Sequence, residues 1–418
     1  MSHPFYADYK DSGAEWLGEV PSHWTVTRIG GLFREVVEEG EEGLPILSVS
    51  IHNGVSDKEL DEKEAERKVT RSEDATTYKT VRPGDLVYNM MRAWQGAFGA
   101  VQVAGMVSPA YVVARPTEEF LTRYVELVLR TPNAVEEMRR HSQGVTDFRL
   151  RLYWDEFKTI RVALPPLAEQ AAILSFLDQE TARIDSLVAE QETLIALVKE
   201  KRLAVICRAV TKGLNPTVPM KDSGIDWLGE VPEHWAVVRL KRVVLFQRGH
   251  DLPLEDREDG ETPVVSSGGF LGTHSKAQAE GPGIVTGRYG TIGQFVFVET
   301  DYWPLNTALY TVEFFGNSEK FVWYMLHSIA EHFTMHSQKS AVPGVDRNDI
   351  HEVIVTVPCL AEQYAIASYL EAETVKLDAL VAEAERAIDL LREHRAALIS
   401  AAVTGKIDVR GLVDMEAA

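Results

Sequence analysis

The chain has 418 residues, with 43 Lys and Arg against 63 Asp and Glu, a formal net charge of −20. That balance argues against a protein that grips nucleic acid by bulk positive charge, so any such contact must rest on local clusters or on a partner that brings cations. Hydrophobic content of 45% is ordinary for a globular chain. No apolar run is long enough to span a bilayer, and two cysteines outside any CxxC spacing (Cys207 and Cys359) argue against a zinc site and for a reducing cytoplasm. The segment MSHPFYADYKDSG has no basic or hydrophobic signal region, which also points to a cytoplasmic protein.

In chain order, the first feature is KDSGAEWLGEVPSHWTVTRI at 10–29, which returns as KDSGIDWLGEVPEHWAVVRL at 221–240, identical at 14 of 20 positions. The shared pattern, DSGxxWLGEVPxHW, places Trp16 and Trp24 opposite Trp227 and Trp235. An extended, proline-kinked segment with two tryptophans reads as a packing clamp. A variable block follows: PILSVSIHNGV at 45–55, a charged stretch at 57–79, GDLVYNMMRAWQGAFGAV at 84–101, VSPAYVVARP at 107–116, and a helix-like run at 120–142. After the second clamp a different sequence keeps the same order: PVVSSGGFLGTHS at 263–275, GPGIVTGRYGTIGQFVFV at 281–298, WPLNTALYTVEF at 303–314, and a helix-like run at 319–333. Short β-rich runs, Gly-containing turns and one late helix predict an α+β block with a curved sheet. The first block is 18 residues longer, and the charged stretch at 57–79 is its expected source.

Each block ends in a long helix. Residues 165–211 and 358–404 align without a gap at 26 of 47 positions, a duplication. Each runs from a proline break through Ala, Leu, Glu, Lys and Arg, and could reach roughly 65 Å at 1.5 Å per residue. Ile173, Leu177, Ile184, Leu187, Val188, Leu194, Ile195, Val198, Val205 and Ile206 make an apolar stripe in the first. Ile366, Leu370, Leu377, Leu380, Val381, Ile388, Leu391, Leu398 and Ile399 make it in the second. A long one-faced helix needs a partner, and two of equal length predict an antiparallel coiled coil.

Catalytic signatures are missing. GRYGTIG at 287–293 lacks the Lys and Ser/Thr of a phosphate loop and lies between strand-like runs, so it reads as a Gly-rich hairpin. No dinucleotide or S-adenosylmethionine fingerprint and no Asn/Asp-Pro-Pro-aromatic motif appears. His23 and His234 belong to the clamp, and Asp155, Glu156 and Lys158 read as a solvated helix end. No catalytic residue and no metal ligand is expected.

The repeated order of variable block and PLxEQ helix resembles the specificity subunit of type I restriction–modification systems. Leu167-Ala168-Glu169-Gln170, Leu360-Ala361-Glu362-Gln363 and the hairpin Gly287–Gly293 carry the likeness, and Arg92-Ala93-Trp94-Gln95-Gly96 fills the hairpin's place in block one. The resemblance implies a non-enzymatic subunit of α+β class. It would hold two α/β target-recognition domains, joined by two long helices in an antiparallel coiled coil with pseudo-two-fold symmetry. The implied boundaries are 1–164 and 215–357 for the recognition domains, 165–214 and 358–410 for the helices, and 411–418 for a tail. Each recognition domain would read one half of a split double-stranded DNA site. The helices would set the spacer and dock two methylation subunits, and through them restriction subunits. S-adenosylmethionine, ATP and Mg would sit on those partners, with no cofactor on this chain. The rival is an orphan interaction scaffold of the same fold that does not bind DNA.

Phosphate contacts position a reader and base edges specify the sequence, with Arg suited to guanine and Asn or Gln to adenine. The candidates in block one are Lys79, Arg92, Gln95, Arg149 and Arg151, with Trp94 able to stack or wedge. In block two they are Ser266, Ser267, Arg288, Tyr289, Lys339, Arg347 and Asn348. For helix pairing and partner docking they are Leu167, Glu169, Gln170, Leu177 and Ile184, with Leu360, Glu362, Gln363, Leu370 and Leu377.

Overall fold

The computed structural model describes residues 4–51, 54–56, 75–144, 150–337 and 344–412. The charged stretch held responsible for the longer first block falls largely outside them. The chain divides into two compact units, one of Met1–Ala189 with Ile388–Ala418 and one of Glu190–Ala387.

In the first unit a four-stranded antiparallel sheet has the order Phe33–Val36, Tyr111–Pro116, Leu86–Asn89, Phe98–Ala100. Leu86–Asn89 is buried at every position because the sheet is covered on both faces. Leu86 and Tyr88 join the main core, and Val87 joins a smaller cluster with Leu47, Val81 and Val113. Thr25–Arg28 pairs with Arg161–Leu164, so the variable block begins and ends on one two-stranded ladder. The helix expected at 120–142 is in fact two, Thr122–Leu129 and Pro132–His141. Pro132 cannot continue a helix but suits the first position of a new one, and it holds Thr131 in extended backbone (ψ 149°).

The second unit repeats this sheet with Leu245–Arg248, Ala308–Glu313, Gly283–Gly287 and Phe295–Val298 in the same order. Ala236–Arg239 pairs with Ile354–Val357 as the closing ladder. The expected helix at 319–333 is again two, Glu319–Ser328 and Ala330–Ser337. A ribbon of Thr262–Ser266 and Gly269–His274 completes the block. Its GRYGTIG segment is a hairpin tip, as expected, between Gly283–Gly287 and Phe295–Val298.

Leu167–Lys212 and Leu360–Val403 are single helices of 46 and 44 residues. In the first unit, Ile173, Leu177 and Ile184 share a core with Leu398, Ala402 and Val403, and Arg395 Nε lies 3.0 Å from Asp185 Oδ1. In the second, Ile206 and Val210 share a core with Ile366 and Leu370, and Arg202 Nε lies 3.0 Å from Asp378 Oδ1. The start of one helix thus runs beside the end of the other, an antiparallel pair. Leu187, Leu194 and Leu380, expected in the stripe, are exposed (38%, 42% and 49%). A two-helix seam is narrow, and positions just off it remain on the shoulder.

The clamps pack as expected at three of their four tryptophans: Trp16 is buried, but its counterpart Trp227 is 39% exposed. Trp24 and Trp235 are fully buried, and Lys10 and Lys221 donate to their carbonyl oxygens. The chain beyond the second helix returns to the first clamp. Lys406 Nζ donates to Glu19 O at 2.7 Å, Asp408 N to Pro4 O at 2.8 Å, and Arg410 lies 5.0 Å from the Tyr6 ring centre. Val403, Ile407 and Val409 are buried there.

Candidate nucleic-acid interface

The tip of the first unit's hairpin is built by short-range bonds. Met91 N donates to the Asn89 side chain at 3.0 Å, and Gly96, at φ +90°, closes a short 3-10 turn over Ala93–Gln95. Only a residue tolerant of positive φ fits that closing position. The turn leaves Arg92 and Gln95 exposed, while Trp94 Nε1 donates to Met91 O at 3.0 Å and ties the indole to its own loop.

In the second unit three segments converge. Thr291 Oγ1 donates to Ser267 O, which fastens the ribbon turn to the hairpin tip. Ser266 Oγ donates to Gly269 O and accepts from Gly268 N, both at 3.2 Å, so it rigidifies that turn. Arg288 lies 4.8 Å from the centre of the exposed Tyr289 ring, a cation–π pair. Gly344 packs so close to Tyr289 that a Cβ there would sit 2.6 Å from the ring.

One backbone bond recurs in both units and aligns the two tips. Leu152 N donates to Met90 O at 2.9 Å, and Val345 N donates to Arg288 O at 3.0 Å. In each case the donor lies two residues before a short helix, Trp154–Phe157 or Arg347–His351. Met90 is therefore the counterpart of Arg288, and Arg92 stands two residues further along its loop.

The remaining described candidates lie on other segments. Arg151 is exposed on a bridge with Gln143, next to Leu152. Arg347 and Asn348 are exposed at a helix start capped by Asp346, whose carboxylate accepts from Asn348 N at 2.8 Å. Lys79 is half-buried and donates to Tyr111 O at 2.7 Å, and burial lowers its pKa. Arg149 and Lys339 lie outside the described residues. Among the described residues no group of three or more His, Cys, Asp or Glu could hold a metal ion, and no helix is long and apolar enough to cross a membrane.

The PLxEQ entries work as joints. Gln170 and Gln363 are buried, and each accepts from the backbone N–H that starts the recognition-block helix, Leu121 N at 2.9 Å or Ser318 N at 2.8 Å. Each also donates to the preceding proline carbonyl, Pro165 O at 2.9 Å or Pro358 O at 3.0 Å. Glu169 is buried and collects Tyr6 Oη at 2.7 Å, Trp24 Nε1 at 2.9 Å and His23 Nε2 at 2.7 Å. Glu362 is partly exposed and meets His234 Nε2 at 3.0 Å. Leu177, Ile184, Leu370 and Leu377 are buried, whereas Leu167 and Leu360 are exposed (39% and 43%). A further joint escaped sequence reading. Arg123 pairs with Asp178, and Lys320 with Glu371 at 3.6 Å, at matching places in the two units. The signal for it was present, since Asp178 and Glu371 are aligned acids of the two helices.

Residues 232–383 match the family described as the Type I restriction modification DNA specificity domain. Two relatives come from Methanocaldococcus jannaschii. The MjaVIII type I restriction enzyme specificity subunit is 25% identical over 244 residues, which is 55% of this chain, so the chain spans about half of that relative (51%). A second, named for the type I enzyme MjaX, is 22% identical over 438 residues, covering 94% of this chain and 96% of the relative. The chain is thus similar to type I restriction–modification specificity subunits along nearly its whole length, and its residues 232–383 match their DNA specificity domain. Solved structures agree on its fold. A chain described for complex assembly and conformational transition of the type I R-M system has a TM-score of 0.70 at 15% identity, covering 92% of this chain and 98% of that one. The HsdS subunit from Thermoanaerobacter tengcongensis has a TM-score of 0.54 at 16% identity, covering 93% and 98%. The doubled block and helix seen here are thus the fold of specificity subunits.

Proposed function

We propose that this chain is the non-catalytic, sequence-specific DNA reader of a cytoplasmic type I restriction–modification assembly. Each variable block reads one half of a split duplex site, and the helix pair sets the spacer. One observation carries this reading. The same sheet, with the same bond bracing its hairpin tip, displays different side chains in the two units: Arg92, Trp94 and Gln95 in one, Arg288 and Tyr289 in the other. One scaffold with two sets of tip residues suits two different half-sites.

Leu187, Leu194, Leu197 and Leu203 on the first helix, and Val375, Leu380 and Leu390 on the second, are exposed apolar side chains. They support docking of methylation subunits, which would bring S-adenosylmethionine and also much of the positive charge this chain lacks. Restriction subunits with ATP and Mg would join through them. With methylation subunits present, binding to the recognised duplex should weaken steeply with salt. Arg92→Ala and Arg288→Ala should each cost about 1–3 kcal/mol and relax one half-site only. Binding that ignores both salt and these substitutions, followed by fluorescence anisotropy, would speak for a scaffold that does not touch DNA.

Adding one heptad to each helix, within 177–198 and 370–391, lengthens the pair by about 10 Å. The expected result is a spacer longer by up to about three base pairs, at 3.4 Å per pair, with the same bases read. Mapping methylated sites in cells that express the variant gives the answer. An unchanged spacer would remove the ruler role from the helices.

A further inference from the structure

The second unit carries an apolar feature that its candidate base-reading residues do not explain. The strand Gly269–His274, which returns from the ribbon turn, presents Phe270 and Leu271 in succession, 62% and 54% exposed. Consecutive side chains of a regular strand face opposite sides. Here the register shifts: Val265 stands opposite Phe270 and Val264 opposite Gly272, which leaves Leu271 as the extra residue of a bulge. A bulge bends the strand and re-aims its side chains. Gly269 (φ +102°) and Gly272 (φ +148°) flank the pair and add no side chain beside it.

This ribbon is anchored. Its turn is held by Thr291 Oγ1 on Ser267 O, by Ser267 N on Thr307 Oγ1 at 3.5 Å, and by Ser266 Oγ on Gly269 O at 3.2 Å. Two of these bonds reach the hairpin tip with Arg288 and Tyr289 and the strand start beside it, so the Phe–Leu pair is continuous with the candidate interface. Adjacent exposed apolar side chains on a ribbon whose turn is tied to the hairpin tip suit a duplex whose base step can be pried open.

We propose that Phe270 and Leu271 form an apolar wedge that opens one base step of the second unit's half-site, next to the bases faced by Arg288. The proposal rests on the DNA-reading function above. The occupant is double-stranded DNA. Phe270 also walls an open groove of about 680 Å³ lined by Phe297, Lys320 and Trp323, which a protein partner could use instead.

The test uses the chain assembled with its methylation subunits, and duplexes bearing the methylated site mapped in expressing cells. 2-Aminopurine replaces each base of the second half-site in turn, except the methylated adenine. At saturating protein, the wild-type complex should raise fluorescence several-fold at one step. Phe270→Ala and Leu271→Ala should abolish that rise and weaken site binding 10- to 100-fold, with affinity for unrelated duplex within twofold of wild type. Arg288→Ala, saturated, should retain the rise. Wild-type fluorescence and affinity in both alanine variants would overturn the wedge while leaving DNA reading intact. Loss of methylation subunits from Phe270→Ala, with the fluorescence rise preserved, would overturn it in favour of a protein-docking face. Failure of the wild-type complex to bind any duplex would remove the DNA-reading function itself.

Discussion

Glu169→Ala is expected to destabilise the first unit by about 3–5 kcal/mol, whereas Glu362→Ala at the matching place in the second unit should cost less than about 1 kcal/mol. The motif is the same in both helices, and burial makes the difference. Glu169 is 6% exposed and accepts from Tyr6, Trp24 and His23, and Trp24 is fully buried. Burial, reinforced by the nearby Glu169 carboxylate, pushes the Tyr6 hydroxyl far above its usual range, so it remains a donor at every working pH. Removing the carboxylate strands those donors where water cannot easily replace the acceptor. The Glu362–His234 pair is half open, with side chains 38% and 49% exposed, and water can substitute for either partner. Glu169→Gln keeps an acceptor oxygen and should recover part of the loss. Hydrogen exchange read separately for the two units would show the asymmetry. Equal losses at the two positions would mean that the acid acts as a simple surface charge in both.

The second large effect concerns specificity. Exchanging residues 25–164 for the corresponding block of a related specificity subunit should change one half-site and leave the other half and the spacer as they were. Specific readers prefer their site by factors of about a thousand or more, so the old half-site should lose at least about that much. The boundaries suit the exchange because Thr25–Arg28 and Arg161–Leu164 are partners in one ladder, with Thr25 opposite Leu164 and Arg28 opposite Arg161. A graft cut there keeps Trp24 and Glu169 on the host side and asks the incoming block for a helix that meets Gln170, Asp178 and Val403 as Leu121, Arg123 and Tyr124 do here. The methylated positions in cells carrying the chimera give the result, and a change in both half-sites would refute modular reading.

Much of this architecture was legible because the chain is duplicated. Each copy checked the other, and the long helices, the clamps and the Gly-rich hairpin were all found where expected. The helix breaks were harder. Thr131-Pro132 carries an explicit stop signal inside an apolar pattern that otherwise reads as one helix, while Ile329 carries none. The role of Gln170 and Gln363 was hidden for a different reason. Their partners, Leu121 N and Ser318 N, are backbone amides, and a backbone amide has no sequence signature. Sequence order puts Arg92 and Arg288 in hairpins at matching places, but the offset of two between them depends on the backbone bonds to Met90 O and Arg288 O, which no sequence displays. Phe270 and Leu271 passed as an ordinary strand because exposure created by a bulge depends on register, which one sequence does not display.

The return of the second helix's tail to the first clamp has a consequence for how the protein is made. The first unit's core contains Tyr6, Trp24 and Tyr124 together with Leu398, Val403, Ile407 and Val409. A ribosome at about 5–20 residues per second needs roughly 14–55 s to bridge the gap from Tyr124 to Leu398. The second unit has all of its residues by Ala387, before the first unit has received its last. The unit begun first is therefore finished last, and premature termination near the end of the chain would injure the recognition block at its beginning.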